Sequence, residues 1–239
     1  MTISVLDSYE AISREASGII IRQLATNKNL LLCAATGNSP SGTYERLVEE
    51  YGKRPELFAG LRVLKLDEWG GIPMDAPGSC ESYLQSRLLS PLHISGSRYL
   101  SFDSDAADPE GECKRVQGEL EKAGPIDCCV IGLGMNGHIG LNEPAATLQP
   151  DFHLAQLSEG TLGHSMVQAM NPKPSYGLTM GMADILRART ILLLISGKDK
   201  RSITRELLLS KKLTTHLPAS FLWLHPNTIC LLDKEAYGE

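Results

Sequence analysis

The sequence lacks any run of 18 or more apolar residues, so no segment is long enough to cross a membrane as a helix. It also lacks basic charge, because 23 lysines and arginines stand against 28 aspartates and glutamates, which gives a formal net charge of −5. A nucleic-acid partner is therefore not expected, since phosphate backbones require basic stripes. One phosphorylated small molecule is not excluded, because a few local cations and backbone amides suffice to bind it.

No two of the six cysteines have C-x-x-C spacing, which argues against a metal or redox site. Four of them lie inside apolar runs, where a thiol acts as a small hydrophobic group: Cys33, Cys128, Cys129 and Cys230. The first residues alternate apolar and polar positions, unlike a signal peptide. We therefore expect a reducing compartment, most simply the cytoplasm, and neither a metal nor another cofactor.

Segments typical of strands alternate with segments typical of helices along the whole chain. The predicted strands are Thr2–Leu6, Asn29–Ala35, Leu61–Leu66, Arg98–Phe102, Ile126–Ile131, Phe152–Gln156, Thr190–Ile195, Ser220–Leu224 and Thr228–Asp233. The predicted helices are Ser8–Asn27, Ser41–Tyr51, Glu81–Leu89, Pro109–Ala123, Ser165–Met170, Met182–Ala188 and Asp199–Ser210, and a long loop is expected from Asp67 to about Gly78. This order predicts an α/β fold with a doubly wound, mainly parallel open sheet, helices on both faces (Rossmann-like) and a single domain over residues 1–239.

Four segments with polar or glycine-rich chemistry each follow directly after a predicted strand. They are Thr36–Pro40, Asp67-Glu68, Gly132–His138 and Gly197–Lys200. Ligands of open α/β sheets bind outside the carboxyl ends of the strands. If the sheet is parallel, all four segments meet at one edge, and this convergence is the main argument for an active site.

Two of these segments are candidates for binding a phosphate. Thr36, Gly37, Asn38 and Ser39 precede a helix, where glycine permits close approach and the free N–H groups attract an anion. An ordinary capped turn explains the same residues equally well. Lys200 begins a later helix, a position that suits a lysine facing an anion, although a solvated surface lysine is the simpler interpretation.

The other two segments carry acid–base groups. Asp67 and Glu68 end an apolar strand as paired acids that are expected to face each other and the crevice, so one of them can serve as a base. The simpler role of Asp67 is to cap the following turn. The turn Gly132–His138 matches G-x-G-x-x-G formally, but two prolines follow instead of an amphipathic helix, which disfavours a dinucleotide site. The cluster of Asn136, His138 and Glu143 instead gives an imidazole with an amide and a carboxylate to orient it.

Together these segments resemble the glucosamine-6-phosphate deaminase/isomerase family. The resemblance rests on L-D-E at 66–68, the T-G-x-[ST]-P loop, G-x-G-x-[DN]-G-H-I followed by N-E-P at 142–144, and G-x-x-K at 197–200. The related 6-phosphogluconolactonases continue with T-A-S-L-F-P after Gly-His, unlike this chain.

The resemblance implies a role for each candidate residue. His138 would open the pyranose ring, held by Glu143 and Asn136, and Asp67 would move a proton from C2 to C1 of the open-chain sugar as ammonia leaves. Thr36, Gly37, Asn38, Ser39 and Lys200 would hold the phosphate.

The chain departs from the family pattern at several points. Asn136 stands where these deaminases usually carry aspartate, and an amide can orient His138 but cannot carry negative charge. The arginine expected near residue 165 is missing, and His164 is the nearest polar substitute. Basic residues typical of allosteric members are not evident over 149–156. Asn136, His164 and the tail Pro218–His225 are similar to the galactosamine-6-phosphate deaminase/isomerase branch.

The expected partner is thus a small-molecule sugar phosphate, with galactosamine 6-phosphate as the favoured substrate and glucosamine 6-phosphate as the alternative. Lactone hydrolysis and a sugar-phosphate sensor without catalysis are further alternatives. The sensor is disfavoured because the sequence opens on the first strand and retains both Asp67 and His138. The sequence leaves open a homo-oligomer.

Overall fold

The computed structural model describes residues 1–163, 165–168, 170–210 and 212–238. Its strands are β1 (Thr2–Leu6), β2 (Leu31–Ala34), β3 (Arg62–Lys65), β4 (Asp67–Gly70), β5 (Tyr99–Leu100), β6 (Cys128–Gly132), β7 (His153–Ala155), β8 (Tyr176–Thr179), β9 (Ile191–Ile195) and β10 (Thr228–Asp233). Its helices are α1 (Tyr9–Thr26), α2 (Asn38–Lys53), α3 (Cys80–Leu84), α4 (Pro109–Ala123), α5 (Glu159–Leu162), α6 (Ser165–Gln168), α7 (Met182–Leu186), α8 (Arg201–Ser210) and α9 (Lys234–Tyr237). No helix within these ranges has the length and apolar character needed to cross a bilayer.

Seven strands form a parallel sheet in the order β1-β10-β9-β6-β2-β3-β5. Side chains of each strand alternate between its two faces. In β2, Leu31 and Cys33 pack with α4, α7 and α8, whereas Leu32 and Ala34 pack with α1, α2 and α3. Burial on both faces explains why β2, β6 and β9 read as continuous apolar runs. The predicted doubly wound α/β fold is confirmed.

The prediction of a loop that starts at Asp67 is wrong, because Asp67–Gly70 forms strand β4 of a second sheet. This sheet has three antiparallel strands in the order β4-β8-β7, and its strand β8 was also missing from the sequence prediction. Only Leu66 separates β3 from β4, so the chain leaves the parallel sheet and pairs at once with Tyr176–Thr179. The second sheet thereby holds Asp67 at the carboxyl edge of the first.

Three further predictions differ from the structure in detail. The predicted strand Ser220–Leu224 lies in a 3-10 helix, Pro218–Leu224, which begins with proline and buries four of its residues against the core. Helix α2 begins at Asn38 rather than Ser41, so part of the candidate phosphate loop is the first turn of a helix. The predicted helix Glu81–Leu89 is α3 followed by a π-helical turn, Gln85–Leu89.

Candidate active site

The four segments that follow strands β2, β3, β6 and β9 meet at one edge of the sheet. The ammonium of Lys200 donates a hydrogen bond to the carbonyl of Leu133 at 2.6 Å. A Cβ built on Gly132 would lie 3.3 Å from the hydroxyl oxygen of Ser39. The structure therefore brings the candidate phosphate loop, the glycine turn and the lysine together.

The candidate phosphate loop presents the open N-terminus of α2. No side chain in the described part of the chain caps this helix, and its first turn contains no acidic residue. The loop is held from behind, because the hydroxyls of Ser41 and Tyr83 donate to the carbonyl of Gly37 at 3.0 and 2.7 Å. A rigid, uncapped helix start of this kind attracts an anion.

Lys200 closes a short 3-10 turn, Lys198–Lys200, immediately before α8. Among the described residues, the carbonyl of Leu133 is the only hydrogen-bond partner of the Lys200 ammonium, so two of the three N–H groups of the ammonium stay available. Burial lowers the pKa of Lys200, because desolvation disfavours the charged form. A bound anion would offset that cost.

Asp67 is buried beside the glycine turn. A Cβ built on Gly140 would lie 3.5 Å from Oδ2 of Asp67, and Oδ1 lies 3.9 Å from the thiol sulfur of Cys80. Burial, followed by the charge of Glu68, raises the pKa of Asp67 to about 7, although His138 and Lys65 act in the opposite direction. A carboxylate with this pKa is matched to general-base work near neutral pH.

Glu68 does not face the crevice together with Asp67, contrary to the expectation for paired acids. Adjacent residues of a strand point to opposite faces, so Glu68 turns toward Lys65, whose Nζ lies 2.7 Å from Oε2. The carboxylate of Glu68 also accepts hydrogen bonds from the backbone N–H groups of Trp69, Cys80 and Glu81.

Two glycines of the turn Gly132–His138 are required by its shape. Gly134 lies under the imidazole, since a Cβ there would be 2.4 Å from three ring atoms of His138. Gly137 has a φ of +84°, which favours glycine, and a Cβ there would be 2.3 Å from Leu217. The turn is therefore a rigid holder for His138.

Asn136 connects the imidazole of His138 to the carboxylate of Glu143. Its Nδ2 donates to Oε2 of Glu143 at 2.7 Å, and its Oδ1 lies 2.8 Å from Nδ1 of His138. Oδ1 also accepts from the backbone N–H of His138 at 3.2 Å. The amide must face its N–H₂ toward the carboxylate, so Nδ1 of His138 carries a proton and Nε2 of the neutral ring is free to accept one.

Ser158 and Thr161 fix the far side of Glu143, and sequence reasoning missed both. The hydroxyls of Ser158, at 3.2 Å, and of Thr161 hydrogen-bond to Oε1. Burial raises the pKa of Glu143, but the imidazole of His138, whose Nδ1 lies 3.6 Å from Oε2, and hydrogen bonds from Thr161 and Asn136 outweigh it and lower the pKa to about 2. The only sequence signal was the S-x-x-T spacing at the start of α5, which also suits a simple cap.

His164, the candidate substitute for the missing arginine, lies outside the described residues. Within the described ranges, no three histidine, cysteine, aspartate or glutamate side chains are grouped so that they could hold a metal ion.

Replacing Gly134 by alanine tests whether the turn positions the imidazole. The new Cβ would displace the ring of His138, and a misplacement of about 1 Å can cost about 10²-fold in kcat. We expect this loss in a steady-state assay, with little change in Tm. Gly118→Ala on α4, where a Cβ would meet nothing within 4 Å, is the matched control. Unchanged activity of Gly134→Ala would contradict the proposed role of the turn.

Known proteins of similar sequence and structure agree with the function class that this geometry indicates. Residues 7–230 match the family model described as glucosamine-6-phosphate isomerases/6-phosphogluconolactonase. The chain belongs to this family.

Several relatives align over nearly their whole length. A protein of Escherichia coli (strain K12) named as a deaminase, AgaI, is 40% identical over 232 residues, which is 97% of this chain and 92% of that protein. A glucosamine-6-phosphate deaminase of Thermoanaerobacter pseudethanolicus is 35% identical over 239 residues, which is 99% of this chain and 94% of the relative.

Solved structures show the same fold. A monomeric glucosamine-6-phosphate deaminase superposes with a TM-score of 0.93 at 33% identity, covering 99% of this chain and 98% of the other. A 6-phosphogluconolactonase from Trypanosoma cruzi superposes with a TM-score of 0.80 at 21% identity, over 98% of this chain and 95% of the other. The second likeness concerns the fold alone.

Proposed function

We propose that this protein is an amino-sugar phosphate deaminase/isomerase that converts galactosamine 6-phosphate to tagatose 6-phosphate and ammonia. The observation that carries the proposal is the pairing of two acid–base groups at one sheet edge: His138 with a free Nε2, and Asp67 with a pKa of about 7. Isomerisation of an amino aldose needs one group to open the ring and another to move a carbon-bound proton.

His138 opens the ring in the proposed reaction. Its Nε2 accepts the proton of the anomeric hydroxyl and delivers it to the ring oxygen as the bond between that oxygen and C1 breaks. Asn136 keeps Nδ1 protonated throughout, and the ionised Glu143 stabilises the transient imidazolium through the amide.

Asp67 carries out the isomerisation of the open-chain sugar. Its carboxylate removes the proton from C2, and the electron pair of that C–H bond forms the C1–C2 double bond. The carbonyl oxygen on C1 takes the displaced electron pair and a proton from water, which gives an enolamine. Asp67 then returns the proton to C1, which leaves an imine at C2. Water adds to this imine and ammonia departs, so the net change is uptake of one water and release of one ammonia.

The phosphate is anchored away from the reacting carbons in this proposal. The N–H groups of Asn38 and Ser39, the hydroxyl of Ser39 and the ammonium of Lys200 would bind it. The hydroxyl of Thr36, proposed as a further ligand, lies 3.4 Å from the thiol sulfur of Cys80. Because the phosphate end of the substrate is fixed, C2 reacts with Asp67 inside one complex and does not have to meet it by diffusion. His164 remains a proposed additional anion ligand.

Galactosamine is favoured over glucosamine by two observations. Asn136 stands at the centre of the hydrogen-bonded chain to His138, as the resemblance to the galactosamine branch implies. The relative at 40% identity is also named as a deaminase without being named for glucosamine. Two alternatives receive less support. The family description includes 6-phosphogluconolactonase, but the relatives at 40% and 35% identity are named as deaminases, whereas the lactonase structure is only 21% identical. A sensor would not need both proton-transfer groups assembled.

Ammonia release from galactosamine 6-phosphate and glucosamine 6-phosphate, measured side by side, tests the proposal. We expect kcat/KM to be higher for galactosamine 6-phosphate. A preference for glucosamine 6-phosphate would overturn the substrate assignment. No ammonia from either substrate, with an intact fold, would overturn the deaminase proposal itself.

The proposed acting unit is the monomer in the cytoplasm. The solved deaminase at 33% identity is described as monomeric, which supports a monomer over the homo-oligomer that the sequence leaves open. The six cysteines are free thiols, in keeping with a reducing compartment.

A further inference from the structure

A buried cluster of charges lies directly behind Asp67, on the opposite face of β4. We propose that Glu68 is a positioning residue whose uncompensated negative charge keeps Asp67 a base suited to neutral pH. This inference rests on the proposed function, because it assigns to Glu68 the tuning of the proton transfer assigned to Asp67.

The position of Glu68 is fixed from several sides. Its side chain is fully buried, and Oε1 accepts from the N–H groups of Trp69 and Cys80 at 2.8 and 2.9 Å. Oε2 accepts from the N–H of Glu81 at 2.8 Å and from Nζ of Lys65 at 2.7 Å. Cys80 and Glu81 are the first residues of α3, so the carboxylate binds the start of that helix to β4. These four hydrogen bonds fix the position of the carboxylate. Cys80 links it to Asp67, because the N–H of Cys80 donates to Glu68 and the thiol sulfur of Cys80 lies 3.9 Å from Oδ1 of Asp67.

Lys65 does not neutralise Glu68, because its single charge is shared. Its Nζ also lies 2.9 Å from Oε2 of Glu81, and that oxygen accepts a further hydrogen bond from Tyr99 at 2.7 Å. Two carboxylates and one ammonium leave the cluster with one net negative charge. Because the cluster is buried, solvent screens this charge less than it would at the surface.

The groups that face Asp67 come from five elements, one of which is β2 with the thiol of Cys33, whose pKa burial raises well above the ordinary value. Glu68 on β4 disfavours the carboxylate form of Asp67, whereas Lys65 on β3 and His138 on the glycine turn favour it. Cys80 on α3 contributes a neutral thiol, since burial raises its pKa well above the ordinary value. Glu68 is therefore the negative charge that opposes this stabilisation of the Asp67 carboxylate and keeps Asp67 from becoming a weak base.

The test measures the pH at which Asp67 titrates in matched variants. Glu68→Gln removes the charge but keeps an acceptor for the start of α3, and we expect the acid limb of kcat/KM to move down by about one pH unit. Glu81→Gln removes an equal charge that lies on α3 rather than beside Asp67, and we expect a smaller downward shift. Glu112→Gln on α4, a buried glutamate bound by Arg115, is the control that leaves the limb in place.

The readouts separate this inference from the proposed function. Ionisation of the substrate affects kcat/KM equally in all variants, so it cancels when the acid limbs are compared. ¹³C NMR titration of the Asp67 carboxyl measures the change in the pKa of Asp67 directly, without turnover. No shift in folded Glu68→Gln, or an equal shift in Glu81→Gln, would overturn the inference. If Glu68→Gln does not fold, the pKa of Asp67 in Glu81→Gln decides. A small downward shift of that pKa supports the inference, and no shift or an upward shift overturns it. An inactive wild-type protein whose Asp67 titration still shifts would refute the proposed function alone.

Discussion

Replacing Asp67 by asparagine is expected to lower kcat by about 10³-fold, which lies within the range usual for loss of a general base. Asparagine has nearly the same shape and accepts the same contact from Cys80, but its amide cannot take a proton from carbon. The defect should therefore lie in kcat, while binding of the substrate phosphate at the start of α2 is retained.

Two measurements locate this defect. An amino-alditol 6-phosphate, which has no ring to open and no acidic C2 proton, should bind to Asp67→Asn with nearly the wild-type affinity. Exchange of the C2 hydrogen of the substrate with deuterium from solvent, followed by NMR, should disappear in the variant. Exchange at the wild-type rate would show that another group removes the proton.

Replacing His138 by glutamine is expected to lower kcat for the pyranose substrate by about 10²–10³-fold, since both proton transfers of ring opening use the same imidazole nitrogen. Glutamine can still hydrogen-bond to Asn136, but it cannot pass through a protonated state. The substrate population that opens spontaneously in water bypasses this step. The residual rate should therefore retain only the pH dependence set by Asp67, whose pKa is about 7.

The matched control for this variant is His153→Gln. His153 lies on β7, two strands from Asp67 in the second sheet, and its Nδ1 is 2.8 Å from the carbonyl of Asp151. This control tests whether any histidine near this sheet, and not His138 alone, is needed. We expect wild-type kcat from it. A His138→Gln enzyme with wild-type kcat and an unchanged pH profile would show that ring opening does not depend on the imidazole.

The parallel sheet could be predicted because its strands are buried on both faces. Continuous apolar runs such as Leu31–Ala34 and Ile191–Ile195 have few alternative ways to bury themselves, so their order along the chain indicates the architecture. The second sheet had no such signal. Asp67–Gly70 contains two acids and a glycine, and it becomes a strand only because Tyr176–Thr179 pairs with it from more than 100 residues away.

At the glycine turn and Asp67, too, some features follow from the sequence and others only from the tertiary structure. The sequence by itself determined the residue types: the glycines that permit the turn, the imidazole with its amide and carboxylate, and the acid that follows β3. Tertiary structure alone decided that Glu68 turns away from Asp67, that Asn136 lies closer than Glu143 to Nδ1 of His138 (2.8 against 3.6 Å), and that Ser158 and Thr161 hold Glu143. These outcomes depend on side-chain direction and on contacts distant in sequence. Local sequence does not encode them, because they are set by what the rest of the fold packs around each group.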